Sequence, residues 1–206
     1  MTASRALMTV VKKNYHHGDL KDTLEDAAVE ILREVGVNGL SMRKLADRVG
    51  VSRSAPYHHF EDKKALLNAI AHRGFVLQAQ AIDDQEPSQG SSFQEQVKSF
   101  VHTYVTWAVE HPEYYDLMFG REVWQASDPP DDFAQESRGY FRRYVERVER
   151  WQHSGHIQSD LSALRFAQVS WSSLHGISRL LIDGIYVDKK AQNAICDAAA
   201  DIFFKS

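Results

Sequence analysis

Cysteine is nearly missing: Cys196 is the single one in 206 residues. An internal disulfide is therefore excluded, and its neighbours Ala194, Ile195, Ala198 and Ala199 place it on a packed helix rather than at a reactive site. Apolar residues never run for the ~18 positions that span a bilayer. Residues 1–13 hold no continuous apolar stretch ahead of a cleavage site. The expectation is a soluble, globular, cytoplasmic chain with no membrane partner. The spacings of catalysis are lacking as well, with no Ser/His/Asp set, no paired carboxylates and no glycine-rich phosphate loop. His16 and His17, like His153 and His156, come without the further ligands that zinc needs. No metal, no cofactor and no enzymatic activity are expected, and neither strand-like alternation nor an internal repeat is present.

Hydrophobic residues make up 43% of the chain, enough for one small domain and a second, larger core. The net charge of -4 looks wrong for a nucleic-acid binder until it is divided. Residues 1–73 carry +3 and residues 74–206 carry -7. Opposite signs in the two parts favour one end that faces an anionic partner.

Helical periodicity is what the sequence does supply. Leu20, Leu24, Ala27, Ala28, Ile31, Leu32 and Val35 form an apolar stripe that predicts a first helix over residues 17–35, ended by Gly36 as a left-handed cap. Asn38-Gly39 marks a turn. Ser41 caps a second helix through Val49, with Leu45, Ala46 and Val49 inward, and Gly50 stops it. Ser52 then caps a short third helix to His58 or His59, and Asp62 caps a fourth reaching about Ile82. Residues 83–92 read as an exposed loop. Beyond it, stripes over residues 93–108, 112–119, 132–152, 160–183 and 189–205 continue an all-α pattern, with Pro112, Pro129-Pro130, Gly155 and Asp160 at the breaks.

Residues 41–60 meet the demands of a helix-turn-helix. Ala46 allows close approach, Gly50 turns the chain, and Val49, Val51, Pro56 and Phe60 pin the second helix. In a major groove, Arg53, Ser54 and Ala55 would face base edges, Arg53 pairing with a guanine and Ala55 touching a thymine methyl. Ser41, Ser52, Tyr57 and Lys63 are phosphate partners, and Arg43 can reach either. Pro56 removes one backbone hydrogen bond and disfavours helical geometry at Ala55. On spacing alone, an ordinary pair of surface helices fits equally well.

The stretch from Tyr15-His-His-Gly-Asp-Leu20 through Ala71 resembles the DNA-binding domain of the TetR family of regulators. The resemblance rests on Gly39-Leu-Ser-Met-Arg-Lys-Leu-Ala, Val49-Gly-Val-Ser and Ala55-Pro-Tyr-His-His-Phe-Glu-Asp-Lys-Lys-Ala-Leu-Leu67. It implies DNA contacts by Ser41, Met42, Arg43, Arg53, Ser54, Ala55, Tyr57, His58, His59 and Lys63. Met42 stands where the family often has Ser or Thr, and Ala55-Pro56 where Thr-Leu is commoner. The fold class implied is all-α: a three-helix helix-turn-helix domain over residues 1–73, then a helical bundle for effector binding and dimerisation over residues 74–206. A homodimer on a double-stranded, inverted-repeat operator follows. Its function would be a repressor released by a small-molecule effector, the alternative being an activator or a ligand-independent regulator.

In the second part, Trp171-Ser-Ser-Leu-His-Gly-Ile-Ser-Arg-Leu180 resembles a subgroup with a Trp, His, Gly signature. Trp171 and His175 share a helical face, and Gly176 would let another helix approach. Phe100, Tyr104, Trp107, Tyr115, Met118, Phe119, Trp124, Phe141 and Tyr144 could enclose an apolar or aromatic effector. These residues would serve equally as plain core. Leu174, Ile177, Leu181, Ile195, Ala199, Ile202 and Phe203 give the last two helices more apolar surface than one internal face requires, as a two-fold four-helix interface would.

Overall fold

The computed structural model describes residues 17–85, 90–124, 131–157, 160–186 and 189–204, and their regular structure is helical throughout. Pro87, Pro129, Pro130, His16 and Lys205 lie outside them. Two compact units form, Met1–Asp62 and Lys63–Ser206, and helix α3 (Lys63–Asp84) runs through residue 73 as one element.

In the first unit, α1 (His17–Gly39) buries Leu24, Ala28 and Ile31 completely. Its helical path breaks at Gly36, whose φ of 67° fits the predicted stop, but whose ψ of -178° is extended rather than left-handed helical. Helix α2 (Met42–Val49) begins where Ser41 accepts the Lys44 N–H at 3.2 Å. It ends at Gly50, a left-handed cap with φ 76° and ψ 33° that a side chain would strain. The Ala46 carbonyl accepts both the Gly50 N–H at 2.9 Å and the Val51 N–H at 3.0 Å, which closes the turn. Arg48 ties α2 back to α1 through Glu34 at 2.6 Å and Glu30 at 3.5 Å.

The third helix expected from Ser52 does not form as such. Ser52 spends its hydroxyl on that of Ser54 at 3.1 Å, and only Ala55–His58 coil, as a 3-10 turn. Pro56 is the physical reason. It offers no N–H to an α-helical ladder and resists helical geometry at the residue before it. Its own carbonyl instead collects the N–H groups of His59 and Phe60 at 3.1 and 3.0 Å, and Pro56 and Phe60 are buried as pins.

In the second unit α4 (Phe93–Glu110) is central, packing on α3, α5 (Pro112–Phe119), α8 (Ala163–Ile182) and α9 (Lys189–Phe204). Helix α6 (Arg121–Trp124) is a single turn beside α3 and α5, and α7 (Asp131–His153) lies across α3 and α8. A reciprocal Ser92–Glu95 capping box starts α4, and Pro112 opens α5 where its missing N–H costs nothing. Two boundaries depart from the pattern. Helix α3 continues past the expected loop start to Asp84, and α8 is capped by Ser162, which accepts the Arg165 N–H, rather than by Asp160. Cys196 is fully buried in α9, and burial lifts its thiol to about 11.

Helices α3 and α5 meet at Gly74, where an added Cβ would sit 2.8 Å from Met118 Sδ and 3.3 Å from Tyr114 Cβ. Overpacking of this kind costs ~1–3 kcal/mol. Gly74→Val is therefore expected to lower the thermal midpoint by several degrees despite removing a helix-weakening glycine, a result that a calorimetric scan would check. An unchanged or raised midpoint would contradict this packing.

Candidate nucleic-acid interface and internal cavities

The first unit exposes most of the side chains that sequence reasoning selected. Ser41, Arg43, Ser52, Arg53, Ser54, Tyr57 and His58 are exposed, Ala55 and His59 half-buried. Arg53 and Ser54 lie in the turn ahead of Ala55, so a short irregular segment presents them and not an α-helix. Met42 departs from the list. Its side chain is 6% exposed and packs inside the unit, which leaves its backbone at the start of α2 as the group an outside partner meets. Lys63 opens α3 as the first residue of the second unit.

The second unit holds two adjoining cavities, both partly open at the surface. A narrow one of about 40 Å³ has Phe100, Tyr104, Tyr144 and Trp171 from the expected set on its walls, together with Tyr140, Arg143 and Arg147. A larger one of about 220 Å³ shares Tyr140 and Trp171 and adds Phe75, Phe119, Trp124, Phe141, Ser137 and Arg138. Phe100 and Tyr144 stack at 5.2 Å with their planes 8° apart.

The remaining candidates sit elsewhere. Trp107 stacks on His111 at 4.9 Å and borders a separate outer groove with Thr106 and Glu110. Met118 is core packing against Gly74. Tyr115 and His175 line neither cavity but form a relay behind them, Tyr104 Oη to Tyr115 Oη at 3.1 Å and Tyr115 Oη to His175 Nδ1 at 2.8 Å. Among the described residues, no neighbouring element has an atom within 4 Å of where the Gly176 Cβ would be, so no described helix of its own unit uses the space expected there.

Burial raises every phenol here: Tyr115 to about 12, and Tyr104, Tyr140 and Tyr144 well above the usual tyrosine range. They act as neutral hydrogen-bonding groups. Tyr144 Oη and Ser170 Oγ are 2.8 Å apart, and Tyr140 donates to Gln78 Oε1 at 2.7 Å. Gln78, fully buried on α3, donates in turn to the Tyr104 carbonyl at 3.4 Å. Sequence reasoning missed Gln78, Tyr140, Arg143 and Arg147 as site residues. The signal was the 3–4 residue spacing of Tyr140, Arg143, Tyr144 and Arg147, one helical face on which aromatic positions alone were picked out.

Burial, then the nearby Arg179 charge, lowers the His175 pKa below its ordinary 6.5. A neutral His175 accepts at Nδ1 from Tyr115, whose oxygen then accepts from Tyr104. The unfolded chain binds this proton at higher pH than the folded one, so stability is lost as pH falls through 6.5 toward the depressed value. His175→Phe is expected to flatten that acid-side loss in melting curves recorded from pH 7 down to about pH 5, and an NMR titration of His175 above 6.5 would refute it.

Comparison with known proteins agrees with this architecture. Residues 24–70 match the family model described as bacterial regulatory proteins, tetR family, and residues 97–203 match that described as Tetracyclin repressor-like, C-terminal domain. The class A tetracycline repressor from transposon 1721 of Escherichia coli is 54% identical over 50 residues, which are 24% of this chain and 23% of that protein. The uncharacterized HTH-type transcriptional regulator YobS of Bacillus subtilis is 35% identical over 92 residues, 44% of this chain and 47% of its own length. The matches thus span less than half of these relatives. A protein of unknown function from Rhodococcus sp. RHA1 superposes with a TM-score of 0.81 at 32% identity, covering 93% of this chain and 97% of that one. The structure of AibR, solved in complex with isovaleryl coenzyme A and operator DNA, shares the fold with a TM-score of 0.67 at 16% identity, covering 89% of this chain and 97% of that one. None of these comparisons identifies the Trp-His-Gly subgroup. With helix-turn-helix and C-terminal domain both matched, the chain belongs to the TetR family and is a DNA-binding transcriptional regulator.

Proposed function

We propose that this regulator is a repressor, released from an inverted-repeat operator when a small effector with an apolar or aromatic body enters the cavities beside Tyr140 and Trp171. The observation that carries the reading is Gln78. It joins α3 to both Tyr104 and Tyr140 at the cavity wall, and α3 begins at the residue that follows the helix-turn-helix unit. A ligand that moves the Tyr140 side chain, or shifts α4 at the Tyr104 carbonyl, must move Gln78 or leave its buried amide unpaired, at ~1–3 kcal/mol. That difference between two states is what an effector needs to shift a binding equilibrium. AibR, of the same fold, was crystallised with both a small molecule and operator DNA, and lends the reading support by analogy.

On the DNA side, Arg53 reads a guanine and Ala55 meets a thymine methyl, while Ser41, Ser52, Tyr57 and Lys63 hold phosphates. His58, His59 and the backbone of Met42 complete the surface. Since the reading segment carries few charges, Arg43 and Lys44 of α2 and Lys63 and Lys64 of α3 supply much of the attraction. Two copies pair through α8 and α9. Leu174 and Ala199 are absorbed by the protomer's own core, but Ile202 is 77% and Val169 55% exposed, and bare Gly176 leaves room for a second chain.

A mobility-shift assay with DNA flanking its own gene tests binding, and repetition with pooled metabolites and aromatic compounds tests release. Arg53→Ala is expected to relax base preference. Lys63→Ala is expected to weaken binding to all DNA and to flatten the salt dependence by about one unit of slope. Undiminished operator affinity in both variants overturns the assignment. In sedimentation, Ile202→Glu is expected to give a monomer with poor operator affinity, whereas a persistent dimer would place the interface elsewhere.

A further inference from the structure

The cavity face of α7 is not purely apolar. Arg143 and Arg147 stand one turn apart on it, and both line the narrow cavity walled by Phe100, Tyr144 and Trp171. Arg147 is 16% exposed at its side chain, with its guanidinium carbon 5.4 Å from the Phe100 ring centre and Nη2 3.5 Å from Asp83 Oδ1 on α3. A full charge-assisted contact closes to about 2.7–2.9 Å. Asp83 is itself 63% exposed, so this partner is held loosely at the rim. Among the described residues lining the cavity, Asp83 is the one carboxylate facing two guanidinium groups.

Resting on the effector reading above, we infer that the effector is a small amphipathic carboxylate, its anionic group on Arg143 and Arg147 and its apolar body along Trp171 and Tyr140. The chemistry selects against the alternatives. A cation meets two guanidinium groups. A neutral molecule of the same shape covers Arg147 and strips it of water without offering a charged acceptor. The two volumes, about 40 and about 220 Å³, are modest beside drug-sized sites of ~300–1,000 Å³. They fit one aromatic ring or a short alkyl chain. The incoming carboxylate takes over from Asp83 on Arg147. That exchange cuts a tie between α7 and α3, the same two helices that Tyr140 and Gln78 join.

Isothermal titration of the purified full chain with phenylacetate, 3-phenylpropionate and octanoate, each beside its primary amide, tests this. At least one acid is expected to bind about tenfold or more tightly than its amide. Exposed Arg143 makes Arg143→Gln a variant that keeps the fold, and it should erode the preference. Arg147→Lys should reduce it further, and Asp83→Asn should tighten the acid by removing its competitor while leaving the amide unchanged. Amides that bind as well as acids, failure of all three acids to bind, or an acid preference untouched by Arg143→Gln would overturn the inference. Weaker acid binding by Asp83→Asn would overturn the exchange. If acids bind with these variant effects but leave operator binding intact, release fails and the ligand class stands. If a neutral compound releases DNA through this cavity, the reverse holds.

Discussion

One buried amide ties three helices of the second unit together. Gln78 is wholly removed from water, and a glutamine in that position must find partners for both ends or carry a desolvation penalty comparable to a good part of a domain's net stability. It finds the Tyr104 carbonyl on α4 and the Tyr140 hydroxyl on α7. Three helices are thereby held in one register, and the tyrosines that hold it are also walls of the narrow cavity. Apolar contacts alone would tolerate small shifts of these helices. A polar contact with defined geometry does not, which is why it is suited to reporting occupancy.

The order and type of the elements were legible in the sequence wherever local chemistry decides them. Ser41, Gly50 and Pro112 are start and stop signals whose effect depends on neighbours a few residues away, and each acts as expected. Legibility ended where two local signals compete. At residues 52–60 a serine cap argued for a helix and Pro56 against one, and the proline won, leaving a 3-10 turn. Ahead of α8, Asp160 was the expected cap, and the backbone path gives that role to Ser162 instead.

The cavity was half legible for a different reason. An aromatic stripe on a helix says that a face is covered, not whether side chains or a ligand cover it. Phe100, Tyr104, Tyr144 and Trp171 meet around one space, whereas Trp107 faces a separate groove and Met118 fills the gap above Gly74. Arg143 and Arg147 were passed over because charged residues at helical spacing usually mark the solvated side. On α7 the arginine and tyrosine positions adjoin, and only the packing of α3 and α8 against it shows that Arg147 is drawn in beside the tyrosines while Arg143 stays exposed at the cavity wall.

Cys196 carries a consequence for how this protein senses its surroundings. Oxidants attack the thiolate, and a thiol that is fully buried and lifted to about 11 offers almost none at neutral pH. Peroxide and disulfide stress therefore have no handle on the folded chain through sulfur of this kind. The same inertness makes the native protein a ready host for a single surface cysteine, since a probe attached there would be read without interference from α9.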